Sequence, residues 1–288
     1  MNERIHRVGV VGCGLMGSGI AEVAARAQLD VVIVEASESS LADGRKRVES
    51  SLARAVRHGK LSPDQQDAAR NRMTFTTDYS LLADRQLVVE AVVESEPVKA
   101  AVFARLDEVV TDRDAILASN TSSIPIMKLA MVTSRPAQVV GIHFFNPVPV
   151  LALVEVVVSL LTDAAVAAAA EEFAASQLGK HVIRSQDRAG FIVNSLLIPY
   201  LLSAIRMLES GFATAADIDT GMVEGCAHPM GPLALTDLIG LDTTMAVAVS
   251  LYEEFKEPLY APPPLLSRMV SAGLLGRKTG RGFYSYGG

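Results

Sequence analysis

The chain has almost no cysteine: Cys13 and Cys226 are the only two in 288 residues, and no Cys/His spacing suggests a metal site. That excludes a disulfide-stapled scaffold and offers no zinc signature, so no metal is expected. Nor is there a surplus of positive charge. Against 26 Lys+Arg stand 32 Asp+Glu, a net charge of -6, which argues against nucleic acid as the main partner. Long apolar runs are missing too. The tract 150–170 is interrupted by Glu155 and Asp163, and the tract 189–208 by Asn194, Pro199 and Arg206. Neither offers the roughly 20 uninterrupted apolar residues of a membrane span. Met1 to Arg7 lead into an apolar stretch without a signal h-region. Two isolated thiols fit a reducing compartment, and a soluble, cytoplasmic protein without a membrane partner is expected.

What is present begins with glycine. The apolar strand Arg7–Val11 is followed by Gly12-Cys13-Gly14-Leu15-Met16-Gly17, a helical pattern from Ser18, and a second strand closed by Glu35. Three glycines alone mean little. Between a strand and a helix, with an acid closing the next strand, they are the fingerprint of a dinucleotide site. Gly12 permits the tight turn, Gly14 lets backbone approach a pyrophosphate, and Gly17 lets helix and strand pack closely. The helix N-terminus turns free N–H groups and positive dipole toward the phosphates. Glu35 can accept both hydroxyls of an adenosine ribose and would repel a 2′-phosphate, so NAD is expected rather than NADP.

A second informative stretch runs from Ser119 to Glu155. The apolar run Ala115–Ala118 stops at Ser119-Asn120-Thr121-Ser122-Ser123, and Val139–Ile142 delivers His143-Phe144-Phe145-Asn146-Pro147. A third apolar run, Val150–Val158, carries one carboxylate, Glu155, in its middle. A buried carboxylate needs a partner, and His143 is the histidine nearest in sequence. In open parallel sheets ligands bind beyond the carboxyl ends of the strands. Ser122, His143 and Glu155 arriving there read as a base with its orienting partner.

Short apolar runs alternate with helical patterns as far as about Arg184, with strands expected at 7–11, 30–35, 73–76, 86–92, 115–118, 139–143, 150–158 and 181–184. The alternation predicts a Rossmann-like, doubly wound, mainly parallel α/β sheet, with irregular pairing near its last strands. Between Glu35 and Thr74 lie too many residues for one crossover helix, so a helical-hairpin insertion is expected, Ser39–His58 and Asp64–Arg72. Its first helix carries Arg45, Lys46, Arg47, Arg54 and Arg57: either a solvated face or an arm that holds a second polyanion. After about residue 186 the pattern is helical throughout, with helices expected at Phe191–Ser210, Thr214–Glu224, Leu233–Phe255 and Pro264–Ala272. Two domains are expected, 1–186 for NAD and an all-helical 187–288 for substrate and dimerisation. The apolar helices of the second exceed what so small a unit can bury, which predicts a homodimer through it.

Taken together, these motifs resemble 3-hydroxyacyl-CoA dehydrogenases, and among them the bacterial single-function 3-hydroxybutyryl-CoA dehydrogenases. The likeness continues through Gly190-Phe191-Ile192-Val193-Asn194, Pro229-Met230-Gly231-Pro232, Gly240-Leu241-Asp242-Thr243-Thr244 and Lys278-Thr279-Gly280-Arg281-Gly282-Phe283-Tyr284, and so spans essentially the whole chain. The resemblance implies NAD-dependent oxidation of a short (S)-3-hydroxyacyl-CoA to the 3-oxoacyl-CoA, and the reverse reduction, as a single activity. It implies that His143 is the general acid/base and Glu155 its orienting carboxylate, while Ser122 and Asn194 hydrogen-bond the reacting oxygen or fix the base. Leu15 and Met16 belong to the cofactor turn, and Glu94, Lys99, Asn146 and Lys278 match nicotinamide-nucleotide contacts. Ser51 matches a coenzyme A contact. His58 stands where a coenzyme A-binding lysine is usual, which passes that charge to Arg57 or Lys60. The alternative is a non-catalytic NAD-binding redox sensor or structural protein on the same fold.

Overall fold

Val8–Val11, Val31–Val34 and Leu87–Val89 are apolar at nearly every position, the pattern of parallel strands covered on both faces. The computed structural model of the protein describes residues 4–287. It divides into two units, one running to Asp187 and the other starting at Arg188. The first contains β1 (Arg7–Val11), α1 (Leu15–Arg26), β2 (Asp30–Val34), α2 (Glu38–Arg57), α3 (Pro63–Arg70), β3 (Met73–Thr76) and β4 (Leu87–Glu90). It continues with α4 (Glu96–Val109), β5 (Ile116–Ser119), α5 (Ile126–Ala130), β6 (Val139–Phe144), β7 (Leu153–Val158), α6 (Ala164–Glu172) and β8 (His181–Gln186).

These strands form one eight-stranded sheet in the order β3-β2-β1-β4-β5-β6-β7-β8. The chain starts in the middle, fills one half, then returns across β1 to fill the other. Strand order therefore reverses between β1 and β4, where such sheets open a crevice for ligands. Pairing is parallel throughout except for β6 and β7. The expected doubly wound, mainly parallel sheet is present, and its irregular pairing is this one reversed strand. Register aligns the carboxyl ends: Val11 lies beside Val34 on one side and Glu90 on the other, and Glu90 lies beside Ser119. Val8, Val10, Val31, Ile33, Leu87 and Val89 share a core with α1, α2 and α6, while strand alternation turns their neighbours to the opposite face. β7 begins at Leu153 rather than Val150, because Val150 and Leu151 both donate backbone N–H bonds to Pro147 O and belong to a turn.

The helical insertion is α2 and α3. Ser37 caps α2 through Ser40 N, and Ser62 with Gln65 forms a capping box at α3, each satisfying N–H groups a helix start leaves open. Gly44 faces the glycine turn: a Cβ there would lie 2.6 Å from Cys13 Cβ. Only glycine lets α2 settle so closely.

The second unit holds α7 (Val193–Glu209), α8 (Ala215–Cys226), α9 (Pro232–Ile239), α10 (Leu241–Phe255) and α11 (Pro264–Ser271) around Ile198, Leu202, Ile205, Leu233 and Leu251. The single helix expected over Leu233–Phe255 is two, bent by 97°. The break is Gly240, whose φ of 103° lies outside helical space, and apolar periodicity continues across it. Among the described residues no single helix is long and apolar enough to cross a membrane.

Candidate active site

The glycine turn closes the carboxyl end of β1. Gly12 has φ of +90°, and a Cβ on Gly17 would lie 1.9 Å from Gly12 O; neither position tolerates a side chain. Around Gly14 a Cβ would meet nothing within 4 Å, and no side chain caps the start of α1. The turn thus leaves free space before uncapped helix N–H groups, which fits a pyrophosphate. Glu35 reaches back from the end of β2: its Oε1 accepts from Cys13 N at 2.5 Å and its Oε2 from Ala36 N at 3.0 Å. That fixes the carboxylate beside the turn, where an adenosine ribose belongs. Cys13 itself is buried, and desolvation together with the Glu35 charge pushes its thiol up to about 12. It stays a thiol.

Two further carboxylates organise the neighbouring loops. Glu90, fully buried at the end of β4, accepts from Lys99 Nζ at 2.7 Å, Ser119 Oγ at 2.7 Å and Val92 N at 2.7 Å. Lys99 also lies 3.3 Å from Glu94 Oε2. Glu94 Oε1 in turn accepts from Thr121 Oγ1 at 2.5 Å and from the backbone N–H groups of Ser122 and Ser123 at 2.9 and 3.2 Å. Burial would raise the Glu94 carboxyl, but the Lys99 charge and the Thr121 and Ser122 donors outweigh it and hold it below its ordinary value. Glu94 and Lys99 therefore fix the Ser119–Ser123 loop. Sequence reading named both and missed Glu90, although an acid closing an apolar strand is the signal that singled out Glu35.

That loop delivers Ser122 to the base. Ser122 Oγ lies 3.1 Å from His143 Nε2, and His143 Nδ1 lies 2.7 Å from Glu155 Oε2. His143 and Glu155 are directly opposed in the antiparallel β6–β7 register, on one face of the pair. Glu155 is fully buried and His143 nearly so. A carboxylate accepts only, so it draws the ring proton to Nδ1 and leaves the Nε2 lone pair toward Ser122. Phe145 flanks the imidazole, ring centroids 4.6 Å apart, and Asn120 Oδ1 ties the loop to β6 by accepting from Phe144 N at 2.8 Å.

Between α1 and α2 lies a cavity of about 380 Å³, closed by Asn146–Pro149. Ser51 lines it with Leu15 and Asn146; so do Lys46, Arg47 and Arg54. Arg57, His58 and Lys60, named with Ser51 for coenzyme A, do not line this cavity. Arg57 and His58 are exposed at the end of α2, and Lys60 lines a separate cavity of about 680 Å³ with Arg26 and Arg72. Lys46, Arg47, Ser51 and Arg54 share one face of α2, and the cavity wall ends at Arg54, about one turn before Arg57 and His58. Asn194 and Lys278 belong to the second unit, Asn194 in the first turn of α7 and Lys278 with its Nζ 2.5 Å from Asp242 Oδ1. Among the described residues no group of His, Cys, Asp and Glu is placed to hold a metal ion.

Comparison with known proteins bears on both units. Residues 7–188 match the 3-hydroxyacyl-CoA dehydrogenase NAD binding domain, and residues 190–286 match the 3-hydroxyacyl-CoA dehydrogenase C-terminal domain. A 3-hydroxybutyryl-CoA dehydrogenase of Mycobacterium tuberculosis is 61% identical over 286 residues, 99% of this chain and 100% of that protein. The crystal structure of Mycobacterium tuberculosis FadB2 superposes with a TM-score of 0.98 at 61% identity, covering 99% of this chain and 100% of that one. An (S)-3-hydroxybutyryl-CoA dehydrogenase from Ralstonia eutropha gives 0.93 at 45% identity, over 99% and 100%.

The lowered Glu94 carboxyl yields a test. A carboxylate whose folded value lies below its unfolded one adds stability above the unfolded value, near 4.5 here, and that contribution disappears as pH falls through the folded value. Glu94→Gln should have a lower melting temperature than the wild type near neutral pH. The gap should close as pH falls below the unfolded value of 4.5 and through the lower folded one. Parallel melting curves over that range would mean that the charge does not hold the loop.

Proposed function

The chain belongs to the 3-hydroxyacyl-CoA dehydrogenase family, and from that premise we propose that it oxidises (S)-3-hydroxybutyryl-CoA and similar short 3-hydroxyacyl-CoA thioesters to the 3-oxo form, and reduces them in reverse. Its cofactor is NAD. The observation that carries the proposal is the Ser122–His143–Glu155 hydrogen-bonded row at the carboxyl ends of β5 and β6.

When bound, NAD supplies the hydride acceptor. The protein supplies position and proton transfer. His143 Nε2 removes the proton from the substrate hydroxyl, and in reduction the protonated ring returns it to the keto oxygen. Glu155 keeps Nδ1 protonated and stabilises the imidazolium as it forms. Ser122, beside Nε2, hydrogen-bonds the reacting oxygen, the role the family resemblance also implies for Asn194. Gly12, Gly14, Leu15, Met16, Gly17 and Glu35 hold the adenosine diphosphate part of the cofactor; Glu94, Lys99, Asn146 and Lys278 serve its nicotinamide nucleotide. The acyl-CoA phosphates are met by Lys46, Arg47 and Arg54 beside Ser51. Both cysteines are free, Cys13 and Cys226, which supports a cytoplasmic location.

Acetoacetyl-CoA-dependent loss of NADH absorbance tests the activity. His143→Gln should lower kcat by about 10²–10⁴-fold with NADH binding retained. Glu155→Gln should also lower it strongly, since the amide cannot stabilise imidazolium. The double variant should lose little more than His143→Gln alone, because both changes disable one device. Additive losses would break the pair. For the cofactor, Glu35→Ala should weaken NADH binding and relieve exclusion of NADPH; equal use of both by the wild type would remove Glu35 from that role.

The second unit exposes Leu196 at 72% and Phe212 at 79%, apolar surface that supports a homodimer through this unit. Sedimentation should give twice the chain mass at micromolar concentration. A monomer at every concentration would reject the dimer.

A further inference from the structure

Buried polar atoms nearly always have partners, and each exception needs a reason. Among the described residues one buried side-chain oxygen or nitrogen has none: Glu22 Oε2. Glu22 sits on α1 and is 1% exposed. Its other oxygen accepts from Arg26 Nη1 at 3.2 Å. The buried carboxylate is thus half satisfied, and an acceptor left without a donor is costly where water is scarce.

Its position says what the missing donor is. Leu15, Ser18, Gly19 and Glu22 recur at helical spacing and form the α1 wall of the 380 Å³ cavity. The closing loop lies tight on this wall, since a Cβ on Gly19 would be 2.8 Å from Val148 Cβ. Facing it, α2 presents the exposed cations Lys46, Arg47 and Arg54. The cavity is therefore polarised: on the α2 wall three cations outnumber the single carboxylate Asp43, while the α1 wall is Leu15, Ser18 and Gly19 with the buried carboxylate of Glu22. A phosphate is drawn to α2 and repelled by Glu22. What approaches Glu22 must be uncharged, largely apolar and able to donate an N–H or O–H.

A coenzyme A thioester has that order of groups: phosphates at one end, then an arm with two secondary amides, then the acyl group. We propose that Glu22 accepts a hydrogen bond from an amide N–H of this arm and so selects pantetheine-bearing thioesters and sets their direction in the cavity. The proposal rests on the acyl-CoA reading above and adds a specificity residue to it.

The test compares acetoacetyl-CoA and acetoacetyl-pantetheine with acetoacetyl ethyl thioester, which has no amide. In Glu22→Met, kcat/KM for the two amide-bearing substrates should fall by about tenfold or more relative to the ethyl thioester, the order expected for a hydrogen bond to a charged acceptor. Glu22→Gln, which keeps an acceptor oxygen, should recover most of the loss. Wild-type enzyme, independent of any variant's folding, should discriminate similarly against acetoacetyl-pantetheine with both amides N-methylated. Equal losses for all thioesters in Glu22→Met, or no penalty for N-methylation, would overturn the role of Glu22 while leaving the dehydrogenase reading intact. Failure of the wild type to turn over acetoacetyl-CoA would instead remove that reading.

Discussion

The site depends on a short connection. Residues 145–152 join β6 to β7, and they are too few for the crossover of a dozen or more that a parallel neighbour would need. The strand must therefore come straight back. Its return makes the β6–β7 pair the one antiparallel contact in the sheet and sets Glu155 opposite His143. Slipping the register by one residue would turn Glu155 to the other face and leave it buried without the imidazole. Proton-transfer geometry here follows from the short connection and the register of the β6–β7 pair.

The same physical rule explains the rest of the cleft. Glu35 and Glu90 close apolar strands at their carboxyl ends, and Glu155 sits in the middle of one. Burying a carboxylate is unfavourable without donors, so each recruits them from an adjoining segment: Cys13 N for Glu35, Lys99 with Ser119 for Glu90, and His143 for Glu155. The recruited segments are the glycine turn, the start of α4 with the serine-rich loop, and the catalytic strand. The three carboxylates thus tie the glycine turn, the serine-rich loop with the start of α4, and β6 to neighbouring segments.

Much of this was legible in the sequence. The alternation of apolar runs and helical patterns gave the doubly wound sheet, and the glycine spacing gave the nucleotide turn, because period and turn chemistry are local. The His143–Glu155 pair followed from a burial argument that needs no coordinates. The break at Gly240 was missed because its flanking residues keep helical periodicity on both sides, and only φ distinguishes a tolerated glycine from a hinge. Arg57, His58 and Lys60 were grouped with Ser51 because they are near in sequence; the cavity wall ends at Arg54, about one turn before them. Lys46 and Arg47 were noted as part of a basic helix, but which face of α2 meets α1 is decided by tertiary packing at Gly44. Glu22 was invisible, since an acid within a helix is ordinarily solvated.

Packing at Gly44 also joins the two binding functions. The glycine brings α2 against Cys13, and Arg47 Nη1 lies 3.4 Å from Cys13 O. Cys13 N is held by Glu35, the residue proposed to read the cofactor ribose. The turn proposed to receive NAD and the helix proposed to supply cations for acyl-CoA are thus in direct contact through one buried residue. A side chain at Gly44 would push α2 off the turn and displace the cationic wall and the Glu35 anchor together. On the proposed assignments, cofactor choice and substrate affinity rest on one packed contact within the first unit, and burial keeps the Cys13 thiol protonated there.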